Sequence, residues 1–161
     1  MRRALTPTYS FYRVHEIPLT LLKKEDIRLV LLDADNTAAL WHGTTADEAT
    51  VQWIAAVREA GIEVLLFTNS KNPFVKQLIA FLGIPAVTGA GKPFPRVTRA
   101  IVESRGIENH QALIVGDQLF TDILLANRVG TQSVLTEPLS KTEWLCTKVF
   151  NRSREKIVGR R

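Results

Sequence analysis

Ile27-Arg28-Leu29-Val30-Leu31-Leu32-Asp33-Ala34-Asp35-Asn36-Thr37 is the stretch on which the reading of this chain turns. Five aliphatic residues, interrupted only by Arg28, form a short apolar run of the kind that makes a strand buried on both faces of a parallel sheet. Two carboxylates two positions apart then appear where that strand should end. Each ionised group disfavours its neighbour, so a divalent cation or a mobile proton is needed to hold the pair together. Taken alone, the pair is explained as readily by Asp33 capping a turn and Asp35 being solvated. The rest of the chain decides between the two.

Downstream of a short connection, Ala38 to Thr44, the run Thr45-Ala46-Asp47-Glu48 has the spacing of a capping box with Thr45 as N-cap. It predicts a helix to about Ala60, stopped by Gly61. Val64-Leu65-Leu66-Phe67 is a second strand, ending at Thr68-Asn69-Ser70. Asn72-Pro73 opens a helix whose apolar stripe is Val75, Leu78, Ile79 and Leu82, with Gly83 after it. A short strand at Ala86-Val87 leads to Gly89-Ala90-Gly91-Lys92-Pro93, then to a helix from about Pro95 to Arg105. Ala112-Leu113-Ile114-Val115 is the fourth strand, followed by Gly116-Asp117 and a helix from about Thr121 to Val129. Gln132-Ser133-Val134-Leu135 is the fifth, and a last helix is expected after Pro138. Strands and helices alternating at these lengths give right-handed crossovers and a parallel sheet covered on both faces. The predicted fold is therefore α/β: one doubly wound, Rossmann-like domain over 27–147, with five strands in the order 3-2-1-4-5 and no cap domain. Residues 1–26 read as an arm whose aromatics, Tyr9, Phe11 and Tyr12, pack on that domain, and 148–161 as a basic tail.

The totals agree with one domain. A chain of 161 residues is long enough for a single buried core and short for two. No apolar run is long enough to cross a bilayer, and Met1-Arg2-Arg3-Ala4-Leu5-Thr6-Pro7 has no hydrophobic stretch behind its arginines, so no secretory signal is read. Cys146 is the only cysteine, which excludes an internal disulfide and suits a reducing, cytoplasmic setting. Six basic residues against Glu155 alone, between Lys148 and Arg161, account for the whole net charge of +5. The body is neutral and the tail basic. Such a tail attracts anionic lipid or nucleic acid, or simply solubilises a terminus.

Each polar cluster follows a strand directly: Asp33 and Asp35, Thr68-Asn69, Lys92 nearby, and Asp117. In an open parallel sheet ligands bind along the carboxyl edge, where the strand order reverses. The predicted order puts that crevice between strands 1 and 4, gathering Asp33, Asp35 and Asp117. Three converging carboxylates suit a hard cation, and Mg²⁺ best, because it takes few carboxylates alongside a substrate phosphate. The Thr68 hydroxyl and Lys92 ammonium add donors for an anion, and the set describes phosphoryl transfer. Singly, each has a plainer explanation: Thr68 as a turn residue, Lys92 as a loop charge, Asp117 as a helix cap, Asp122 as a first-turn acid favoured by the helix dipole. Gly91-Lys92 is followed by proline, so there is no Walker A loop. His15, His42 and His110 have no metal spacing and receive no role.

In this order the motifs strongly resemble those of the haloacid dehalogenase-like (HAD) phosphatases: Asp33-Ala34-Asp35-Asn36-Thr37, Thr68-Asn69, Lys92-Pro93, and Gly116-Asp117-Gln118-Leu119-Phe120-Thr121-Asp122. The chain looks most like the YqeG family of subclass IIIA, related to mitochondrial phosphatidylglycerophosphate phosphatases. Trp41 after the first motif, Gly91-Lys92-Pro93-Phe94-Pro95 and the closing Thr147-Lys148-x-x-Asn151-Arg152 add to the likeness. Ala34 and Ala38-Ala39 stand where larger aliphatics are usual. The resemblance implies that Asp33 is the nucleophile and Asp35 the general acid and base. It implies Mg²⁺ on Asp33, the Asp35 carbonyl and Asp117, with Asp122 in or beside the metal shell. Thr68, the amide of Asn69 and Lys92 are implied to bind the phosphoryl oxygens.

The expected reaction is Mg²⁺-dependent phosphomonoester hydrolysis. A capless site is open, so it takes a bulky substrate or is roofed by another subunit. A phosphorylated lipid headgroup, phosphatidylglycerophosphate by resemblance, is the first choice, with the basic tail 148–161 meeting anionic membrane at its inner face; nucleic acid is not the expected partner. A soluble sugar- or nucleotide-phosphate phosphatase is the alternative among enzymes. A non-catalytic module binding membrane or RNA is the alternative outside them.

Overall fold

The computed structural model describes residues 3–140. The helix expected after Pro138 and the basic tail 148–161 lie outside them. Six parallel strands form one sheet: β1 (Tyr9–Phe11), β2 (Leu29–Leu32), β3 (Glu63–Thr68), β4 (Ala86–Thr88), β5 (Ala112–Gly116) and β6 (Gln132–Thr136). Their order is β1-β6-β5-β2-β3-β4. The expected five strands keep their predicted neighbours; the correction is a sixth, β1, which pairs with β6 from Tyr9 opposite Val134 to Phe11 opposite Thr136. Three residues are too few to display a period of two, so the sequence presents this strand only as an aromatic arm.

β2 is the centre. Leu29–Leu32 are fully buried, in register with Glu63–Leu66 on one side and Ala112–Val115 on the other. Successive side chains point to opposite faces. Val30 and Leu32 meet Trp53, Ile54 and Val57 of α2 (Glu48–Glu59), Leu78 of α3 (Pro73–Leu82) and Leu22 of α1 (Leu19–Lys24). Leu29 and Leu31 meet Ile101 and Val102 of α4 (Arg96–Ser104) and Leu125 and Ala126 of α5 (Leu124–Val129). Burying each such side chain stabilises the fold by roughly 1.5–3 kcal/mol. Ala34, Ala38 and Ala39 are buried within the first of these clusters. The chain moves outward from β2 through β3 to β4 on one side, then returns to β5 on the other. The order therefore reverses between β2 and β5, and every strand ends on the same edge.

The N-terminal segment is tied into this body. The Trp53 indole Nε1–H donates to the Ile17 carbonyl at 2.8 Å, and Thr8 and Ser133 exchange backbone-to-hydroxyl bonds of 3.0 and 3.1 Å. Among the described residues no helix is long and apolar enough to cross a membrane.

Two local expectations need correcting. Asp47, not Thr45, caps α2: its Oδ1 accepts from the Thr50 N–H at 2.7 Å, so the helix starts two residues later than the capping-box spacing suggests. An acidic cap competes well for the same orphan donors. The helix expected from Thr121 instead opens with a wide π turn, Leu119–Ile123, before α5 begins at Leu124. By contrast Asn72 caps α3 with Pro73 in its first turn, and Gly83 closes it in the left-handed region, as read. The cap assignment is testable by urea unfolding: Asp47→Ala should lower stability by about 1 kcal/mol, while Thr45→Ala changes it by less than half that.

Candidate active site

The reversal between β2 and β5 sets Asp33 and Asp117 side by side, each the first residue after its strand. The Asp33 N–H donates to the Val115 carbonyl at 2.9 Å, extending the β2–β5 ladder into the site. Residues 34–39 then coil back tightly, with the Ala38 N–H on the carbonyls of Asp33 and Ala34 and the Ala39 N–H on Ala34. Asn36 takes the left-handed conformation at φ 59°, which asparagine tolerates better than most residues. This coil returns Thr37 to the floor. Its hydroxyl donates to Asp117 Oδ1 at 3.3 Å and lies 3.5 Å from Asp33 Oδ2.

The π turn after β5 brings in a third carboxylate. Asp122 is fully buried, and its Oδ2 accepts from the Gln118 N–H at 3.2 Å and the Thr121 hydroxyl at 3.4 Å. Gly116 makes this approach feasible: a Cβ there would sit 2.2 Å from the Asp122 carboxyl carbon. Lys92, from the loop after β4, closes the group. Its ammonium donates to Asp33 Oδ1 and Asp122 Oδ1, both at 2.6 Å, and lies 5.9 Å from the Phe67 ring centre. Two bonds to Asn69 hold the lysine backbone: the Lys92 N–H donates to Asn69 Oδ1 at 2.7 Å, and Asn69 Nδ2 donates back to the Lys92 carbonyl at 2.9 Å.

Asp33, Asp117 and Asp122 present oxygens within 4.8 Å of one another, all buried. Three carboxylates face one ammonium, an excess of two negative charges. The consequences are visible in the acidities. Burial, with the charges of Asp122 and Asp35 adding to it and Lys92 opposing, pushes Asp33 up to about 7. Burial, then the charges of Asp33 and Asp122, raises Asp117 well above the usual carboxylate range. Burial alone would lower Lys92, but the carboxylates of Asp122 and Asp33 outweigh it and hold the ammonium charged. Asp117 Oδ2 is buried and accepts no hydrogen bond. A divalent cation supplies the missing two charges and a partner for that oxygen, so these residues fit a hard metal ion.

The other predicted residues fall into distinct places. The Asp35 carboxylate is outside the acidic trio. It is half-buried, and its Oδ1 accepts from the His42 N–H at 3.1 Å. Thr68 ends β3, buried, and its hydroxyl accepts from the Ser70 N–H at 3.1 Å. The Asn69 side chain is engaged by the Lys92 backbone, so it positions the lysine. Thr37, Gly116 and His42 carry parts of the site that the sequence reading left without a role. Thr37 had a usable signal, one turn beyond Asp33. Gly116 allows a close approach without naming the group that approaches, and the main-chain donor of His42 leaves no mark on residue type.

Residues 89–138, which carry Lys92, Asp117 and Asp122 in this arrangement, match the Hydrolase_like family model, the HAD-hydrolase-like proteins. The resemblance is to the haloacid dehalogenase-like hydrolases. The chain is 28% identical over 158 residues to the probable phosphatase YqeG of Bacillus subtilis (strain 168), covering 98% of itself and 91% of that relative. It is also 28% identical over 156 residues to phosphatidylglycerophosphate phosphatase 1, chloroplastic/mitochondrial, of Arabidopsis thaliana, covering 88% of itself and 43% of that longer chain. In fold it is similar to the cobalt-bound deoxy-D-mannose-octulosonate 8-phosphate phosphatase of Haemophilus influenzae, with a TM-score of 0.52 at 19% identity over 85% of this chain and 90% of that one. It is a HAD-type phosphatase.

Two substitutions test the geometry without touching an ionisable group. Gly116→Ala should lower phosphatase turnover by about 10²-fold, because it displaces Asp122 and the lysine that Asp122 holds. Asn69→Ala should lower turnover by about tenfold through loss of two hydrogen bonds to the Lys92 backbone. Steady-state kinetics on an aryl phosphate reads both, and wild-type rates in either variant would contradict the assignment.

Proposed function

We propose that this chain is a Mg²⁺-dependent phosphomonoesterase that removes the terminal phosphate from phosphatidylglycerophosphate. The observation that carries the reaction class is the buried trio Asp33, Asp117 and Asp122 with one ammonium, Lys92, at the switch point of the sheet. Asp33, Asp117 and Asp122 would hold the ion through their carboxylates, beside the Asp35 carbonyl that the family resemblance adds. Bound there, the ion supplies Lewis-acid charge at the phosphoryl oxygens.

The chain's own groups divide the remaining work. The Asp33 carboxylate attacks phosphorus, and the bond to the ester oxygen breaks. Asp35, set apart from the trio and oriented by the His42 N–H, gives its proton to the departing alkoxide. It then takes a proton from the water that hydrolyses the aspartyl phosphate, restoring Asp33. Lys92 and the Thr68 hydroxyl stabilise charge on the transferring oxygens, and Asn69 keeps Lys92 in place.

The lipid substrate is supported by the likeness to the phosphatidylglycerophosphate phosphatase of Arabidopsis. It is also supported by the connections after β2 and β4, which are short and leave the carboxyl edge open to a headgroup that stays in its bilayer. The basic tail 148–161 would add attraction to anionic lipid at the cytoplasmic face of the membrane.

Phosphate release from phosphatidylglycerophosphate in mixed vesicles tests both halves. Wild-type protein should release phosphate only with Mg²⁺, and chelation by EDTA should stop it reversibly. Asp33→Asn should lose activity by on the order of 10³-fold or more, and Lys92→Ala by about 10²–10³-fold. Faster turnover of soluble sugar phosphates than of the lipid would overturn the substrate. Undiminished Asp33→Asn would overturn the mechanism.

A further inference from the structure

The large apolar side chains left exposed are not spread over the molecule. Among the described residues there are seven, and five sit just beyond strand ends on the carboxyl edge: Tyr12, Leu40, Trp41, Phe74 and Phe94. Val51 lies near the start of α2 on the same side, and only Phe81, in the last turn of α3, lies toward the opposite edge. Phe94 is 69% exposed and Leu40 56%. Leaving such side chains in water forgoes the stabilisation that burial brings, so a one-sided grouping marks a contact surface.

Part of this edge is built as a unit. The Trp41 and His42 rings stack at 4.1 Å, and His42 and Phe74 at 5.2 Å, joining the β2–α2 connection to α3. The same His42 donates its backbone N–H to Asp35. The apolar stack therefore backs onto the residue assigned as general acid, at the mouth of the site. Charge is one-sided on the part of this edge that follows β3 and β4, whereas the start of α2 carries Asp47 and Glu48. From Val64 to Val102 the chain has, besides the buried Lys92, the cations Lys71, Lys76, Arg96 and Arg99 and no acid at all. Phe74 and Phe94 belong to this segment. Lys71 lies across Gly89, where a Cβ would meet its Cε at 2.1 Å, and Arg128 donates to the Pro93 carbonyl at 3.1 Å beside Phe94.

We infer that the carboxyl edge from Leu40 to Phe94 is a docking face for an anionic lipid bilayer, holding the active site mouth-down on the membrane. Aromatic rings and leucine enter the interfacial layer while lysine and arginine stay at headgroup level. A protein partner or a second copy would be expected to match a defined shape. Short apolar tips on separate connections, with cations beside them, instead fit a fluid surface. This inference rests on the lipid-phosphate reading and adds to the basic tail a membrane contact at the rim of the site.

The test uses the full chain and sedimentation with vesicles of phosphatidylcholine, with or without phosphatidylglycerol, containing no phosphomonoester. Wild-type protein should bind the anionic vesicles more tightly. Leu40→Ser/Phe94→Ser should weaken that partition by about tenfold. Its aryl phosphate hydrolysis should stay within about twofold of wild type, which checks folding. Phe81→Ser, at a ring also exposed but on the other edge, should bind as wild type does. Lys71→Glu/Arg96→Glu should remove the preference for anionic lipid. The inference is overturned if the Leu40/Phe94 variant partitions like wild type, or if Phe81→Ser loses as much. It is overturned equally if wild-type protein ignores vesicles and light scattering finds a dimer that the Leu40/Phe94 variant dissociates. Vesicle binding as expected, with no phosphate released from phosphatidylglycerophosphate, would remove the proposed substrate and leave the docking face standing.

Discussion

The Lys92 ammonium, held between Asp33 and Asp122 in a buried site, is the contact on which the rest of this structure depends. Three carboxylates cannot share a dry floor unless positive charge is brought to them. One lysine neutralises part of the excess and draws together the ends of three different strands. That requirement explains several details otherwise unrelated: the glycine at 116, the π turn that aims Asp122 inward, and the side chain of Asn69 spent on the lysine's backbone. The charge that Lys92 does not balance is what makes the trio a place for a cation.

The sheet exists to make this meeting feasible. β2 is buried on both faces and gives no function of its own, yet it fixes where Asp33 emerges. Parallel pairing on both sides carries Asp117 to its flank and Thr68 to the other. The apolar layers above and below stabilise the fold enough to tolerate an electrostatically costly floor at one edge. Stability and chemistry are thus spatially separated, with the hydrophobic clusters inside and the ionised groups at the ends of the strands.

Much of this was legible in residue order. The apolar runs, the glycine and proline stops and the carboxylates directly after strands dictate a doubly wound sheet and name the edge where its polar residues gather. The parts that were not legible share a physical cause. β1 is too short to show periodicity, and the α2 cap was contested by two good acceptors, Thr45 and Asp47, within three positions. The separate placing of Asp33 and Asp35 is a matter of direction: one carboxylate turns into the floor, the other toward the His42 N–H, and Asp-x-Asp spacing does not say which. Asn69 enters the sequence reading through its main-chain amide; what residue order does not show is that its side chain bonds the backbone of Lys92, twenty-three residues away.

The central claim is that Asp33, Asp117 and Asp122 form one cation site. Titration of the full chain with Mn²⁺, followed by electron paramagnetic resonance of the free ion, measures it without reference to turnover. Wild-type protein should bind one ion per chain, displaced competitively by Mg²⁺, and Asp117→Asn should weaken binding by about tenfold or more. Unchanged Mn²⁺ affinity in Asp117→Asn would contradict the account.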